Sequence, residues 1–96
     1  MSKLGIVERD GKTVGYLVRS PATGTMVDFE VGRWVFNGDM DAPTFTPSMV
    51  VHGDRETPHE HFFVRDGKIE YLQDCDHPMA GMTVDMVDVD SEEVDP

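Results

Sequence analysis

The chain has 96 residues, a formal net charge of −11 and a hydrophobic fraction of 39%. That length suits one small domain, and that hydrophobic fraction excludes a compositionally disordered chain. The acidic balance argues against direct nucleic-acid binding, because phosphates attract cationic surfaces, and favours a protein partner with a basic surface. No apolar run reaches the length of a membrane span, so no membrane partner is expected.

The first third of the chain predicts a hairpin followed by short strands. Asp10-Gly11 is a two-residue turn signal between residues 4–9 and 12–19, and it places Val7 opposite Val14. Residues 26–31 and 33–36 predict two more strands. Trp34 and Phe36 share a face of the second strand, because side chains alternate along a strand, and we expect both in the core.

A loop with turn chemistry, residues 37–43, leads into a further strand over 44–51. Pro47 lies inside this strand and cannot donate to a ladder, so the strand is confined to a sheet edge or carries a bulge there. After Gly81, alternating apolar residues predict a last strand that ends near Met86.

The stretch 59–81 holds the clearest hairpin, which turns at Asp66-Gly67. A tight turn there pairs Val64 with Ile69 and Phe62 with Tyr71, and it places these four side chains on one face, which we expect to be the core side. The opposite, wetter face carries His59, His61, Phe63, Arg65, Lys68 and Glu70.

Possible metal ligands converge at the open end of this hairpin. Cys75 and His77 follow the second strand on a turn constrained by Pro78, and His59 and His61 begin the first strand at the same end. Zinc prefers a tetrahedral set of Cys sulfur and His nitrogen atoms, with an occasional carboxylate. Cys75, His77, His61 and either Glu60 or His59 therefore form a candidate zinc site.

Other interpretations of the same residues stay open. Cys75 is alternatively a small buried apolar residue, and the histidines are alternatively solvated on a wet strand face. A Cys/His nucleophile pair lacks an identifiable orienting group, and no Ser-His-Asp pattern is visible in the sequence.

Residues from Trp34 to about Val84 resemble a family of small phage and prophage proteins of unknown function. The shared pattern runs from a Trp-containing strand, through Asn-Gly-Asp and Pro-Thr-Phe-x-Pro-Ser, to a hairpin that closes with Asp-Cys-x-His and Ala-Gly. The matching residues are Trp34, Asn37, Gly38, Asp39, Pro43, Thr44, Phe45, Pro47, Ser48, His61, Asp66, Gly67, Asp74, Cys75, His77, Ala80 and Gly81.

The resemblance implies a Cys-His plus Cys-x-His ligand set that would suit zinc. The chain departs from this pattern where the first Cys position is occupied by Glu60. A carboxylate replaces a thiolate on zinc as a harder ligand, and His59 is an alternative substitute. A single cysteine and the phage resemblance together predict the cytoplasm of a bacterial host cell, or a virion.

The sequence therefore predicts an all-β fold, a small antiparallel sandwich or partly open barrel of about six to eight strands. The domain spans 1–86 and an acidic tail spans 87–96, whose alternating Val and Asp would allow part of it to add to a sheet edge, its own or a partner's. A homo-oligomer is a further expected assembly. The predicted function is that of a phage accessory protein that binds a protein partner, such as a host defence complex. The alternatives are a virion component and a small zinc-dependent hydrolase with His61, Cys75 and His77 as ligands.

Overall fold

The computed structural model describes residues 3–55 and 58–89. These residues form eight strands and no helix, which confirms the all-β prediction. No helix in the described ranges could therefore cross a membrane. The strands are β1 (Gly5–Arg9), β2 (Lys12–Arg19), β3 (Met26–Glu30), β4 (Val35–Phe36), β5 (Phe45–Val51), β6 (Glu60–Arg65), β7 (Lys68–Tyr71) and β8 (Thr83–Asp85).

The strands form two antiparallel sheets that are not closed into a barrel. The first sheet has the order β1-β2-β3, and the second has the order β4-β5-β6-β7-β8. Their inner faces share one core, where Phe29 of β3 stacks on Phe45 of β5 with ring centroids 4.5 Å apart. Trp34 and Phe36 pack against this core, as predicted. Burial of this apolar surface from both sheets is what holds them together.

Both Asp-Gly turns form as predicted. Asp10 and Gly11 have φ values of 54° and 77°, and Asp66 and Gly67 have φ values of 48° and 76°. Positive φ at both central residues is the requirement of a type I′ hairpin turn, which follows the twist of the paired strands. The hairpin at Asp66 also has the predicted register, with Val64 opposite Ile69 and Phe62 opposite Tyr71.

The register of the first hairpin differs from the prediction. Val7 lies opposite Gly15 instead of Val14, because the register shifts between Val7 and Glu8. An irregularity of this kind places unequal numbers of residues on the two strands, which turn geometry alone does not reveal.

A second irregularity interrupts β5 at the predicted position. Phe45 lies opposite Val64 and Met49 lies opposite Phe62, so Thr46, Pro47 and Ser48 occupy a length at which β6 has only Phe63. Pro47 is therefore in a bulge, where its missing N–H costs no ladder bond. The bulge also determines where Ser48 stands on the sheet.

The last described residues contact both sheets. The Met86 N–H donates to the Gly67 carbonyl, and Arg19 Nη2 donates to the Val89 carbonyl at 3.0 Å. The first residues of the predicted tail, 87–89, therefore lie along the domain. The rest of that tail, 90–96, is outside the described residues.

Candidate active site

The outer face of the five-stranded sheet carries Ser48 and His61. Glu60 and Phe62 are fully buried, so the alternation of β6 turns the His61 side chain away from the core. His61 lies directly opposite Val50 of β5, and Ser48 is two residues before Val50. The sheet register therefore brings a serine and a histidine together on the exposed side.

A continuous set of polar contacts joins Ser48, His61 and Asp74. Ser48 Oγ lies 3.1 Å from His61 Nε2, and His61 Nδ1 lies 3.1 Å from Asp74 Oδ2. An ionised carboxylate only accepts hydrogen bonds, so the ring proton of neutral His61 is on Nδ1. Nε2 then has a free lone pair directed at the Ser48 hydroxyl, which is the arrangement of a serine nucleophile and its general base.

Asp74 is held in its charged form. The hydrogen bond from His61 lowers the pKa of this carboxyl below its ordinary value, and the nearby charge of His59 acts in the same direction. His59 Nε2 lies 3.6 Å from the same Asp74 oxygen. Asp74 is consequently an anion throughout the pH range in which histidines titrate.

Cys75 fixes the turn that carries Asp74. Its Sγ accepts from the His61 N–H and donates to the His61 carbonyl, each at 3.3 Å. The Asp76 N–H donates to the His59 carbonyl at 2.9 Å, so the turn is tied both to His61 in β6 and to His59 just before that strand. Burial raises the pKa of the Cys75 thiol, which keeps the S–H available as a donor.

A second polar cluster lies behind β6, inside the protein. The Glu60 carboxylate accepts from Ser20 Oγ at 2.5 Å and from Thr23 Oγ1 at 3.0 Å, and the Tyr71 hydroxyl lies 2.7 Å from Ser20 Oγ. Glu60 is 0% exposed and Ser20 is 1% exposed. The cluster joins the end of β2 to the five-stranded sheet, since a buried carboxylate requires such donors.

His77 completes this inner cluster. Its Nδ1 accepts the Met79 N–H at 3.2 Å, so Nε2 carries the proton of the neutral ring. Nε2 lies 3.7 Å from Glu60 Oε1 and has no hydrogen-bond partner among the described residues. His77 therefore faces the same Glu60 oxygen that accepts from Ser20, but at a distance too long for a hydrogen bond.

The predicted zinc ligands are divided between these two environments. His61 uses both ring nitrogens on the outer face, Cys75 is bonded to the His61 backbone, and Glu60 faces the interior. Within the described residues, no group of three or more His, Cys, Asp or Glu side chains is arranged to hold a metal ion. These donor atoms are therefore not arranged around one metal centre, and zinc binding stays a prediction.

The serine of this site was missed in the sequence, where no Ser-His-Asp pattern was visible. That expectation is wrong in three dimensions, because Ser48, His61 and Asp74 meet through strand pairing. The hairpin register does place His61 on the wet face and Asp74 at the same open end. Ser48 is the part that requires the register of β5, which the bulge at Pro47 sets.

An open cleft of about 870 Å³ continues from the Asp74 side of this site. His59 connects the two, because its ring reaches both Asp74 and the cleft. Ser48 and His61 are not among the residues that line it. The lining residues are His52, Gly53, Asp54, Arg55, Pro58, His59, Asp76, His77 and Pro78.

Comparison with known proteins gives one family match. The model of a family described as bacterial ubiquitination-like system serine protease (BubE) matches residues 8–72. The matched range includes Ser48 and His61 and ends two residues before Asp74. No curated protein and no solved structure matches.

This match contradicts the function predicted from the sequence. A phage accessory protein that acts only by binding a partner, such as a host defence complex, is not what the matching family describes. The alternatives of a virion component and a zinc-dependent hydrolase fail on the same finding. The matching family is instead described as a serine protease.

Proposed function

We propose that this chain, which belongs to the BubE family of bacterial ubiquitination-like system serine proteases, hydrolyses a peptide bond with Ser48, His61 and Asp74 as its catalytic triad. Ser48 is the nucleophile, His61 is the general base and then the general acid, and Asp74 orients His61. The observation that best supports this proposal is the set of contacts from Ser48 Oγ through both His61 ring nitrogens to Asp74.

The first half of the reaction forms an acyl-enzyme. Ser48 Oγ attacks the carbonyl carbon of the scissile bond while its proton moves to His61 Nε2. The imidazolium that forms is stabilised by the ionised Asp74 carboxylate on Nδ1. The C–N bond then breaks, and the amine product leaves with the proton from Nε2.

The second half restores the enzyme. Water enters the position of the departed amine, gives a proton to His61 Nε2 and attacks the ester carbon. The bond between that carbon and Ser48 Oγ breaks, and the proton on Nε2 returns to Ser48 as the carboxylic acid product leaves. The attack in each half of the reaction starts from a neutral His61, and the bond cleavage that follows uses the proton that His61 Nε2 has gained.

The substrate class follows from the family description and from charge. The family description names a serine protease of a bacterial ubiquitination-like system, and on that ground we assign a protein of such a system as the substrate. A net charge of −11 favours approach of a substrate with a basic surface.

An active-site probe tests the proposal. A fluorophosphonate forms a stable adduct with an activated serine, and intact-mass spectrometry followed by peptide mapping locates it. The expected adduct is on Ser48 and absent from Ser20, which is buried and serves as an internal control. Labelling is expected to disappear in Ser48→Ala and to fall strongly in His61→Gln. A wild-type protein that remains unlabelled would contradict the proposed triad.

A further inference from the structure

One edge of β5 carries backbone groups that no strand of the described ranges uses. β4 pairs with β5 only through Val35 with Thr46 and Phe36 with Phe45. From Ser48 to the end of β5, the sheet continues on the β6 side alone. An unpaired strand edge is a ready template for another extended chain.

The orientation of the Val50 backbone follows from the hydrogen bonds of His61. The His61 carbonyl accepts the Leu72 N–H at 2.9 Å, and its N–H reaches Cys75 Sγ, so both groups point toward β7. His61 and Val50 are consequently a non-hydrogen-bonded pair of the β5–β6 ladder. The Val50 N–H and carbonyl therefore point away from β6, out of the open edge.

This open edge begins at the nucleophile. Val50 is 40% exposed and follows Ser48 by two residues on the same strand. The Ser48 carbonyl accepts from Trp34 Nε1 at 3.4 Å, so the indole covers the edge of β5 at the residue just before β4 begins. A strand added at this edge would pass Val50, two residues along β5 from Ser48.

We infer that the substrate binds as an extended segment that adds to the open edge of β5, with its backbone held by the Val50 N–H and carbonyl. The inference rests on the proposed protease function and names the form of its substrate. Strand addition uses main-chain hydrogen bonds, so the cleaved segment is an unfolded tail or linker with a free backbone opposite Val50. A helix or a rigid folded surface does not present these groups.

A proline substitution separates edge binding from folding. Val50→Pro removes the outward N–H without removing a bond to β6, and edge strands tolerate proline at such positions. Met26→Pro is the matched control, because Met26 is the first residue of the edge strand β3 in the other sheet and is 39% exposed. The probe is a library of denatured proteome-derived peptides, with cleavage followed by mass spectrometry.

Val50→Pro is expected to slow peptide cleavage by about tenfold or more, the effect of losing one well-placed hydrogen bond, and Met26→Pro by less than about twofold. Cleavage by Val50→Pro at the wild-type rate overturns edge binding and leaves the triad standing. A wild type that labels with fluorophosphonate yet cleaves no peptide overturns the extended-segment substrate. A wild type that fails to label overturns the proposed function instead.

If circular dichroism shows that Val50→Pro does not fold, a second measurement tests edge binding without this variant. A peptide that the wild type cleaves is titrated into ¹⁵N-labelled Ser48→Ala protein. The Val50 amide proton is expected to shift downfield and to exchange more slowly with water as the peptide binds. Unchanged exchange at Val50 in the saturated complex would overturn the inference.

Discussion

A serine, a histidine and a carboxylate lie together on each side of β6, but in a different order of contacts. On the outer face His61 lies between Ser48 and Asp74, whereas inside the protein Glu60 lies between Ser20 and His77. A histidine next to a serine hydroxyl accepts its proton, whereas Ser20 donates to a carboxylate that already has other donors. The order of contacts therefore separates Ser48, the proposed nucleophile, from Ser20, which has a structural role.

Exposure reinforces this difference. Ser20 and Glu60 are almost completely buried, so no substrate reaches them, and their hydrogen bonds join the first sheet to the second. Ser48 and His61 are partly exposed, and Asp74 is exposed. The two ring nitrogens of His61 contact the proposed nucleophile and the carboxylate, one on each side. The comparison predicts that mutations outside change activity, and that mutations inside change stability.

The largest expected effect is that of Ser48→Ala, which should reduce peptide hydrolysis by about 10⁶-fold because the nucleophile is lost. Its melting temperature should stay close to that of the wild type. Ser20→Ala is the paired variant, and it should destabilise the fold by about 1–3 kcal/mol because Glu60 loses a buried donor. Thermal unfolding and the cleavage rate per folded molecule are measured for both variants. A Ser20→Ala protein that is stable but inactive would contradict the assignment of Ser48 as the nucleophile and Ser20 as a structural residue.

Asp74→Asn should slow hydrolysis by about 10⁴-fold while leaving the fold intact, since an amide no longer fixes the His61 tautomer that accepts from Ser48. The Asp74 side chain is 56% exposed, so little stability depends on it. Steady-state kinetics of cleavage measure the effect. Asp76→Asn, in the same turn, is the control, and equal losses in the two variants would argue against a specific role for Asp74.

Glu60→Ala should lower the free energy of unfolding by about 3 kcal/mol, because its removal leaves buried donors from Ser20 and Thr23 without an acceptor. Chemical denaturation measures the change. The fluorophosphonate rate of the molecules that remain folded should change far less. A large loss of labelling with unaltered stability would place Glu60 in the chemistry.

The smallest expected effect is on stability in alkaline solution. Burial raises the pKa of the Cys75 thiol and that of the Tyr71 hydroxyl above the ordinary values of these groups. Both groups are neutral in the fold and ionise first in the unfolded chain, so stability is fully present below about pH 9 and declines as the pH rises further. Melting temperatures measured from pH 8 to 10.5 test this loss of stability. In Cys75→Ala the melting temperature should fall less in the lower part of that pH range. A flat profile would contradict it.

The sequence predicted the parts of the fold that depend on local chemistry. Asp66-Gly67 specifies its turn, the turn specifies the register of β6 and β7, and that register assigns Phe62 to the core and His61 to the outer face. The first hairpin shows the limit, because the irregularity after Val7 shifts the partners without a turn signal. Turn residues therefore predict the register of a hairpin correctly where no irregularity interrupts the strand pairing after the turn.

The site required information that the hairpin does not contain. The sequence led us to expect a zinc site formed by His61, Cys75 and His77, since these residues are close in sequence and lie at one end of the hairpin. The structure separates them by the alternation of side chains and by the hydrogen bonds of Cys75 to the His61 backbone. Ser48 joins His61 through a long-range strand pair with an intervening bulge, which sequence spacing does not determine.

The most direct test of the account compares the two histidines in one measurement, the second-order rate of fluorophosphonate labelling at Ser48. His61→Gln should lower this rate by at least about 10³-fold, since Ser48 loses its general base. His77→Gln should leave the rate per folded molecule close to that of the wild type, even though it faces Glu60 across the same strand. A rate that depends on His77 and not on His61 would contradict the assignment of the outer face as the catalytic one.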